Sequence, residues 1–284
     1  MLDKKSKNAE IFQHTEQLCK TNTILKNTIA LANKKQYIVQ DSDEVVTASD
    51  PVYSEPAKIV VSSKRTIEAA SAYKDYRICV HNFASATKPG GGVVNGANAQ
   101  EEAICRCSTL YFNISQNEML NKFYNKHLQM LKTGKMNSAY NDDCIYTPEV
   151  IVFKSDTAAP ELLPQNEWFN ISVITCPAPN LRERPANSLK PGQTQLKLKD
   201  MELKNLHVKR ISRICDIAKK EKAEVLILGA FGCGVFSNPP RIVAEAMAEI
   251  VKKYRYDFKV IEFAVYCPPS NMENYEVFKR RLKF

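Results

Sequence analysis

The sequence predicts an α/β layered protein built around a mixed, largely parallel sheet. Three observations carry that expectation. Short apolar runs suited to buried strands (KIVVS at 58–62, VIVFK at 150–154, VLIL at 225–228) alternate with stretches of helical period. Two glycine-rich loops directly follow predicted strands. The 284 residues, 44% hydrophobic and 25% charged, are enough for a large core in one or two domains.

Taken in order, residues 6–34 carry Ile11, Leu18, Ile24, Leu25, Ile29 and Leu31 at mostly helical spacing. A break near Thr21-Asn22-Thr23 predicts two helices packed on a body elsewhere. Asp41 to Pro56 is polar, holds two prolines and reads as a surface connection. Strand 58–62, helix 63–73 and strand 77–83 follow, then a glycine loop and a helix over 99–113. A further helical stretch is expected at 123–131, and strands at 150–154 and 171–176. Residues 181–197 hold prolines and basic residues and read as a loop. The last part alternates again: helix 203–220, strand 224–228, helix 241–254, strand 259–265 and helix 275–282.

The net charge of +9 favours a polyanionic partner and is equally compatible with a solvated basic surface. The opening MLDKKSKNAE lacks the apolar core of a signal peptide, and no run is long and apolar enough for a membrane span. The nine cysteines are scattered. Cys105 and Cys107 lie close, but no second pair or histidine cluster completes a zinc spacing. Reduced thiols in a cytoplasmic protein, with no bound metal, are expected.

Four of the nine glycines fall in one loop, three of them consecutive as Gly90-Gly91-Gly92. Glycine loses the most backbone entropy on folding. Such a run therefore points to a sharp bend, or to bare N–H groups approached by a phosphate or ribose. Gln100-Glu101-Glu102 follows at a predicted helix start, putting carboxylates beside the loop. The second loop, Gly229-Ala-Phe-Gly-Cys-Gly-Val-Phe236, leads into Asn238-Pro239-Pro240, where Asn238 suits an N-cap. Neither loop is a Walker A motif or a dinucleotide fingerprint.

Together these stretches resemble the macrodomain superfamily, specifically its microbial-type poly(ADP-ribose) glycohydrolases. The signature is a triple glycine followed at short distance by Gln-Glu-Glu. NFASATKPGGG, CPAPN (176–180) and GAFGCGVFSNPP look like that family too. The likeness runs from about Ile11 to the C-terminus and is weakest at 41–56 and 184–199. It implies one three-layer α/β/α domain over 1–284, residues 1–40 forming an N-terminal helical cap. It implies hydrolysis of ribose–ribose O-glycosidic bonds in poly(ADP-ribose), mainly from the free end and without a cofactor. Glu102 then looks like the acid/base, and Glu101 its neighbour on the ribose hydroxyls. The ligand contacts would come from Asn82, Ser85, Ala86, Gly90, Gly91, Gly92 and Gln100 on one side. Gly232, Cys233, Gly234, Val235, Phe236 and Asn238 would supply the other. The implied partners are ADP-ribose and poly(ADP-ribose), also on modified proteins; a membrane or direct nucleic-acid partner is not expected.

The residues themselves leave plainer readings open. Asn98-Ala-Gln-Glu101 reads as a capping box, which would make Glu101 structural. Glu102 stands four before Arg106, the spacing of a surface ion pair. Phe236 alone suits a core, Cys233 could be a nucleophile but has no histidine near it in sequence, and His81 reads as a hydrogen-bonded structural histidine. The terminal KRRLKF suits a helix C-terminus. A mono-ADP-ribosyl hydrolase and a non-catalytic reader of ADP-ribose are the alternatives to the leading function. Adjacent glutamates on a helix point in different directions, so they cannot flank a glycosidic bond as the paired carboxylates of most glycosidases do. One carboxylate must then serve as acid and afterwards as base.

Overall fold

The computed structural model describes residues 3–47, 50–185 and 195–284. The predicted loop at 181–197 therefore lies partly outside the described residues. The chain opens with helices α1 (Lys4–Thr21) and α2 (Thr23–Lys35). Asn22 makes the predicted break: its backbone N–H closes α1, and its side chain caps α2 by accepting from the N–H groups of Ile24 and Leu25. The face α1 buries is Asn8, Phe12, Thr15 and Cys19. Ile24 and Leu31, counted as apolar anchors from the sequence, are instead 43% exposed. Polar groups on the buried face have partners in the body, so α1 docks by hydrogen bonds as well as by apolar contact.

The order then runs β1 (Tyr37–Val39), β2 (Lys58–Ser62), α3 (Thr66–Ala70), β3 (Ile78–Phe83), α4 (Gln100–Cys107), α5 (Leu110–Ile114) and α6 (Asn117–Met119). A π-helical turn over Leu120–Asn125 leads into α7 (Lys126–Thr133). The remainder is β4 (Cys144–Val152), β5 (Phe169–Cys176), α8 (Asp200–Lys220), β6 (Val225–Leu228), α9 (Pro240–Tyr254), β7 (Val260–Ala264) and α10 (Glu273–Arg281). Lys279, Arg280 and Arg281 occupy the last turn of α10, where they complement its dipole.

The strands form one seven-stranded sheet in the order β1-β4-β5-β3-β6-β7-β2. β5, β3, β6, β7 and β2 run parallel, and β4 is antiparallel to its neighbours β1 and β5. This is the mixed, largely parallel sheet that the alternation predicted. Helices cover both faces. One core holds α8, α9 and α10 against the sheet, with Ile214, Met247 and Phe278 at its centre. The other holds α3, α4 and the Phe123 region, with Ile104 and Leu110.

Two predicted elements differ in the structure, and β1 has no counterpart in the sequence reading. The helix predicted over 99–113 breaks at Ser108, which is extended and bridges to Val152. β4 starts at Cys144, six residues before the predicted strand at 150–154, because a bulge between Thr147 and Val150 interrupts its alternation. β3 and β6 are adjacent and parallel, Val80 opposite Ile227. The two glycine loops, far apart in sequence, therefore leave the same sheet edge side by side, the position where such folds build ligand sites.

Candidate active site

The two loops and the start of α4 enclose a cleft of about 430 Å³. Ser85, Gly91, Glu101 and Glu102 line one side, and Gly232, Gly234, Val235 and Phe236 the other.

Helix α4 begins at Gln100 with Ala99 as N-cap, one residue later than a cap at Asn98 requires. That shift exchanges the roles of the two glutamates. Glu102 reaches back to the N-cap: its Oε2 accepts from Ala99 N–H at 3.0 Å, and its Oε1 from Gly92 N–H at 2.9 Å. Glu101 is no cap. It turns inward, accepting from Ser85 N–H (2.8 Å), Gly90 N–H (3.2 Å) and the Asn82 amide (3.4 Å). Both carboxylates still converge on one backbone position. A Cβ on Gly91 would sit 2.5 Å from Glu102 Oε1 and 3.2 Å from Glu101 Oε2, and its φ is +56°. Only glycine fits there.

Arg106 forms no surface pair with Glu102. Its buried guanidinium donates to Ala97 O at 2.5 Å and Asn98 Oδ1 at 2.7 Å, tying the segment before α4 to the helix. Gln100 is also fully used by the protein. Its amide donates to His81 O and Thr66 Oγ1 and accepts from Phe83 N–H, locking α4 onto the end of β3.

Burial pushes the Glu101 carboxyl up to about 8, the charge of Glu102 adds to the rise, and the three N–H donors offset only part of it. The unfolded chain releases this proton near the ordinary 4.5, the folded chain near 8. Between those values the folded state holds more protons, so Glu101 costs stability as pH rises through the window. In Glu101→Gln the gain in melting temperature over the parent should therefore widen from pH 5 to pH 8. A difference that does not change with pH in thermal melts would contradict this.

Across the cleft, α9 starts at Pro240 with Pro239 as N-cap, so Asn238 does not cap it. Instead the Asn238 amide donates to Pro179 O, Gly232 O and Phe236 O and pairs with His207 Nε2 at 2.9 Å, holding the loop in shape. Val235 is 57% exposed at the tip. Phe236 is half-buried between the cleft and Tyr140, its ring centroid 6.3 Å from that of Tyr140. The Arg182 guanidinium lies over the same ring at 5.6 Å. Burial raises the Cys233 thiol, which suits packing rather than nucleophilic attack.

Of the remaining candidates, Ala86 is buried in the first loop, and Ser85 Oγ accepts from the N–H groups of Thr87 and Lys88. Asn82 lies beneath the cleft, between Glu101 and Thr175. His81 is structural but not hydrogen-bonded: neither ring nitrogen has a protein partner, and the ring packs edge-on against Phe231 at 4.3 Å. Burial drives its pKa down to about 3.

The sequence reading missed Arg65, Asp156, Tyr266 and Asn274, all of which line the cleft. Arg65 stacks over the Tyr266 ring at 4.0 Å. Arg65 and Tyr266 follow β2 and β7 directly, and the strand-end rule that identified the glycine loops would have found them. Asp156 follows an antiparallel strand and carried no such signal. Among the described residues no group of acidic, histidine and cysteine side chains is arranged to hold a metal ion, and no helix is long and apolar enough to cross a membrane.

Known proteins share this fold. The poly(ADP-ribose) glycohydrolase of Thermomonospora curvata superposes with a TM-score of 0.80 at 26% identity, covering 98% of this chain and 100% of that one. Its complex with the inhibitor ADP-HPD gives a TM-score of 0.78 at the same identity and coverage. The Deinococcus radiodurans poly(ADP-ribose) glycohydrolase in complex with ADP-ribose gives 0.73 at 27% identity, covering 89% of this chain and 96% of that one. No curated protein matches the chain. The model of the microbial-type PARG catalytic domain matches residues 5–155, just over half of the length, including both catalytic candidates. The chain thus belongs to the microbial-type poly(ADP-ribose) glycohydrolase family.

Proposed function

We propose that this protein hydrolyses the ribose–ribose O-glycosidic bonds of poly(ADP-ribose), working from the free end and releasing ADP-ribose, with Glu102 as acid and then base. The observation that carries the reading is the convergence of Glu102 and Gly91 on one wall of a cleft whose other wall is the Gly232–Phe236 loop. Bond breaking passes through an oxocarbenium-like state, and the leaving ribose oxygen needs a proton. Glu102, 8% exposed, faces the cleft and is held at a fixed angle by two N–H donors. Glu101, with its carboxyl at about 8, stays protonated near neutral pH, so the pair carries at most one negative charge. Glu101 can then donate to a ribose hydroxyl, while Glu102 must take up a proton before bond breaking, delivers it to the leaving oxygen, and as the carboxylate so formed takes one back from the attacking water. The diphosphate of the substrate, lying between the two glycine loops, stabilises the cation. Acid, base and charge stabilisation all come from the chain and the substrate, so the reading calls for no cofactor. Nine free cysteines suit a cytoplasmic setting.

The first helix supports action at a free end. Asn8 donates to Gly96 O, Thr15 to Arg106 O, and Lys154 to the Ile11 carbonyl. Helix α1 thus packs on the segment joining the triple glycine to α4, which supports the reading that the N-terminal helices cap the side where a following polymer unit would attach.

Phe236→Ala should weaken ADP-ribose binding by roughly 1–3 kcal/mol, the worth of an aromatic stacked on a base, with a smaller loss of stability. A collapsed melting temperature with unchanged affinity per folded molecule would make Phe236 a packing residue. The reading as a whole is tested by giving the protein poly(ADP-ribose) and a mono-ADP-ribosylated peptide side by side. Release from the polymer supports it. Release from the peptide alone would make this a mono-ADP-ribosyl hydrolase, and binding without release a reader.

A further inference from the structure

Helix α7 brings His127 against the first glycine loop at Ala86. Its ring is fully buried, edge-on to Phe123 at a centroid distance of 4.3 Å. Nδ1 lies 3.1 Å from the carbonyl oxygen of Ala86, and Nε2 lies 2.9 Å from Asp143 Oδ2. A carbonyl and a carboxylate offer only lone pairs, so the two bonds exist together only when both ring nitrogens carry hydrogen. Asp143 is fixed in turn by Lys126 Nζ at 2.9 Å and by the Asp41 backbone N–H at 2.6 Å. Burial alone would raise the Asp143 carboxyl; hydrogen bonds from His127, Lys126 and Asp41 overcome this and hold it below the usual carboxylate range. The result is a rigid chain from a buried carboxylate, through an imidazole, to one carbonyl of the loop.

That carbonyl sits one residue past Ser85, near the start of a segment that lines the cleft at Ser85 and Gly91. Next to it, Ser85 N–H is committed to Glu101, and farther on Gly90 N–H and Gly92 N–H are committed to Glu101 and Glu102. The loop is therefore clamped on one side by the two glutamates. His127 supplies a second clamp, at Ala86. Besides Ser85 N–H on Glu101, the 84–89 stretch is tied, among the described residues, by Ala84 N–H on Cys176 O, by Gly91 N–H on Lys88 O and by the Ser85 hydroxyl within the loop itself.

We propose that His127, oriented by Asp143, is a positioning residue that sets the affinity of the cleft by fixing the Ala86 carbonyl and with it the course of the loop from Ser85 to Gly92. The inference rests on the reading that the cleft binds ADP-ribose. It concerns binding more than chemistry, because Glu102 is held by Gly92 and Ala99 and touches neither member of the dyad.

The test uses three proteins: the parent, His127→Gln, and His127→Gln combined with Asp143→Asn. Glutamine can donate to Ala86 O with its NH₂, but it then turns its oxygen toward Asp143, and two acceptors repel. In the double variant the asparagine NH₂ replaces Oδ2 and gives the glutamine oxygen a donor; Lys126 Nζ loses its bond to Oδ2 and keeps Gln40 Oε1, and the chain from position 143 to Ala86 is restored without charge. ADP-ribose affinity by calorimetry, turnover on polymer and thermal melts are measured for each. The single variant should bind ADP-ribose about ten-fold or more weakly, equivalent to roughly 1.4 kcal/mol per ten-fold. Its kcat should stay within about three-fold, and the double variant should recover most of the lost affinity. Equal affinity in the folded single variant, or a loss that the double variant does not recover, overturns the proposal. If the single variant does not fold, the double variant decides: near-parent affinity supports the dyad, and a ten-fold loss removes it. A parent protein that fails to bind ADP-ribose would refute the functional reading instead, so the two failures are distinct.

Discussion

Glu102→Gln is expected to abolish release of ADP-ribose while leaving ADP-ribose affinity within a few-fold of the parent. Losing general acid–base catalysis costs on the order of 100-fold or more, and in the proposed mechanism one carboxylate serves both proton transfers. Binding should survive because the proposed diphosphate and ribose contacts come from backbone in the two glycine loops, and Glu102 supports the first of these loops at the Gly92 N–H. The amide keeps one acceptor for Ala99 or Gly92 but not both, so the variant should also lose about 1 kcal/mol of stability, the usual worth of a helix cap. Calorimetry beside a release assay and thermal melts checks all three statements. Near-normal turnover would remove Glu102 from its role.

Limiting enzyme acting on long, end-labelled polymer should give free ADP-ribose at once, with gradual shortening of the chains. In the proposed reading the N-terminal cap leaves no exit for a continuing polymer, so a terminal unit alone would fit. Gly96 is the point at which the cap can be loosened. Its φ is +74°, and a Cβ there would run into the carbonyl oxygen of Lys5 in α1. Gly96→Ala must strain the loop or push α1 away, a cost of order 1–3 kcal/mol. That variant, or a version starting near Ser54, should gain internal cutting and yield mid-length oligomers early. Unchanged products from a folded variant would mean that the N-terminal helices do not shape the site, and early oligomers from the parent would overturn the cap itself.

The glycine loops were legible in the sequence because glycine is costly wherever it is not needed. Gly91 shows why it is needed: two carboxylates press on the space a side chain would fill. The strand–helix alternation was legible for the same sort of reason, since buried parallel strands read as unbroken apolar runs. The failures have local causes. β1 is three residues long and gains its place only by pairing with β4. Helix boundaries read from sequence are uncertain by a residue or two. At α4 a single residue decided whether Glu101 or Glu102 reached back to the N-cap. His127 and Asp143 gave no motif at all, because their relation to Ala86 exists only after α7 folds under the first loop. Arg106 and Gln100 read in sequence as a surface charge and a ligand group; both are spent holding α4 in place, a role no spacing announces.

In the proposed placement ADP-ribose lies in the cleft, its diphosphate between Gly90–Gly92 and Gly232–Phe236 and its terminal ribose at Glu102. A crystal of the protein soaked in ADP-ribose tests that placement most directly. The expected result is continuous density for the ligand along the cleft, with the anomeric carbon of the terminal ribose beside the Glu102 carboxylate and Glu101 on its hydroxyls. Density with that ribose directed away from Glu102, or ligand bound outside the cleft while the cleft stays empty, would contradict it.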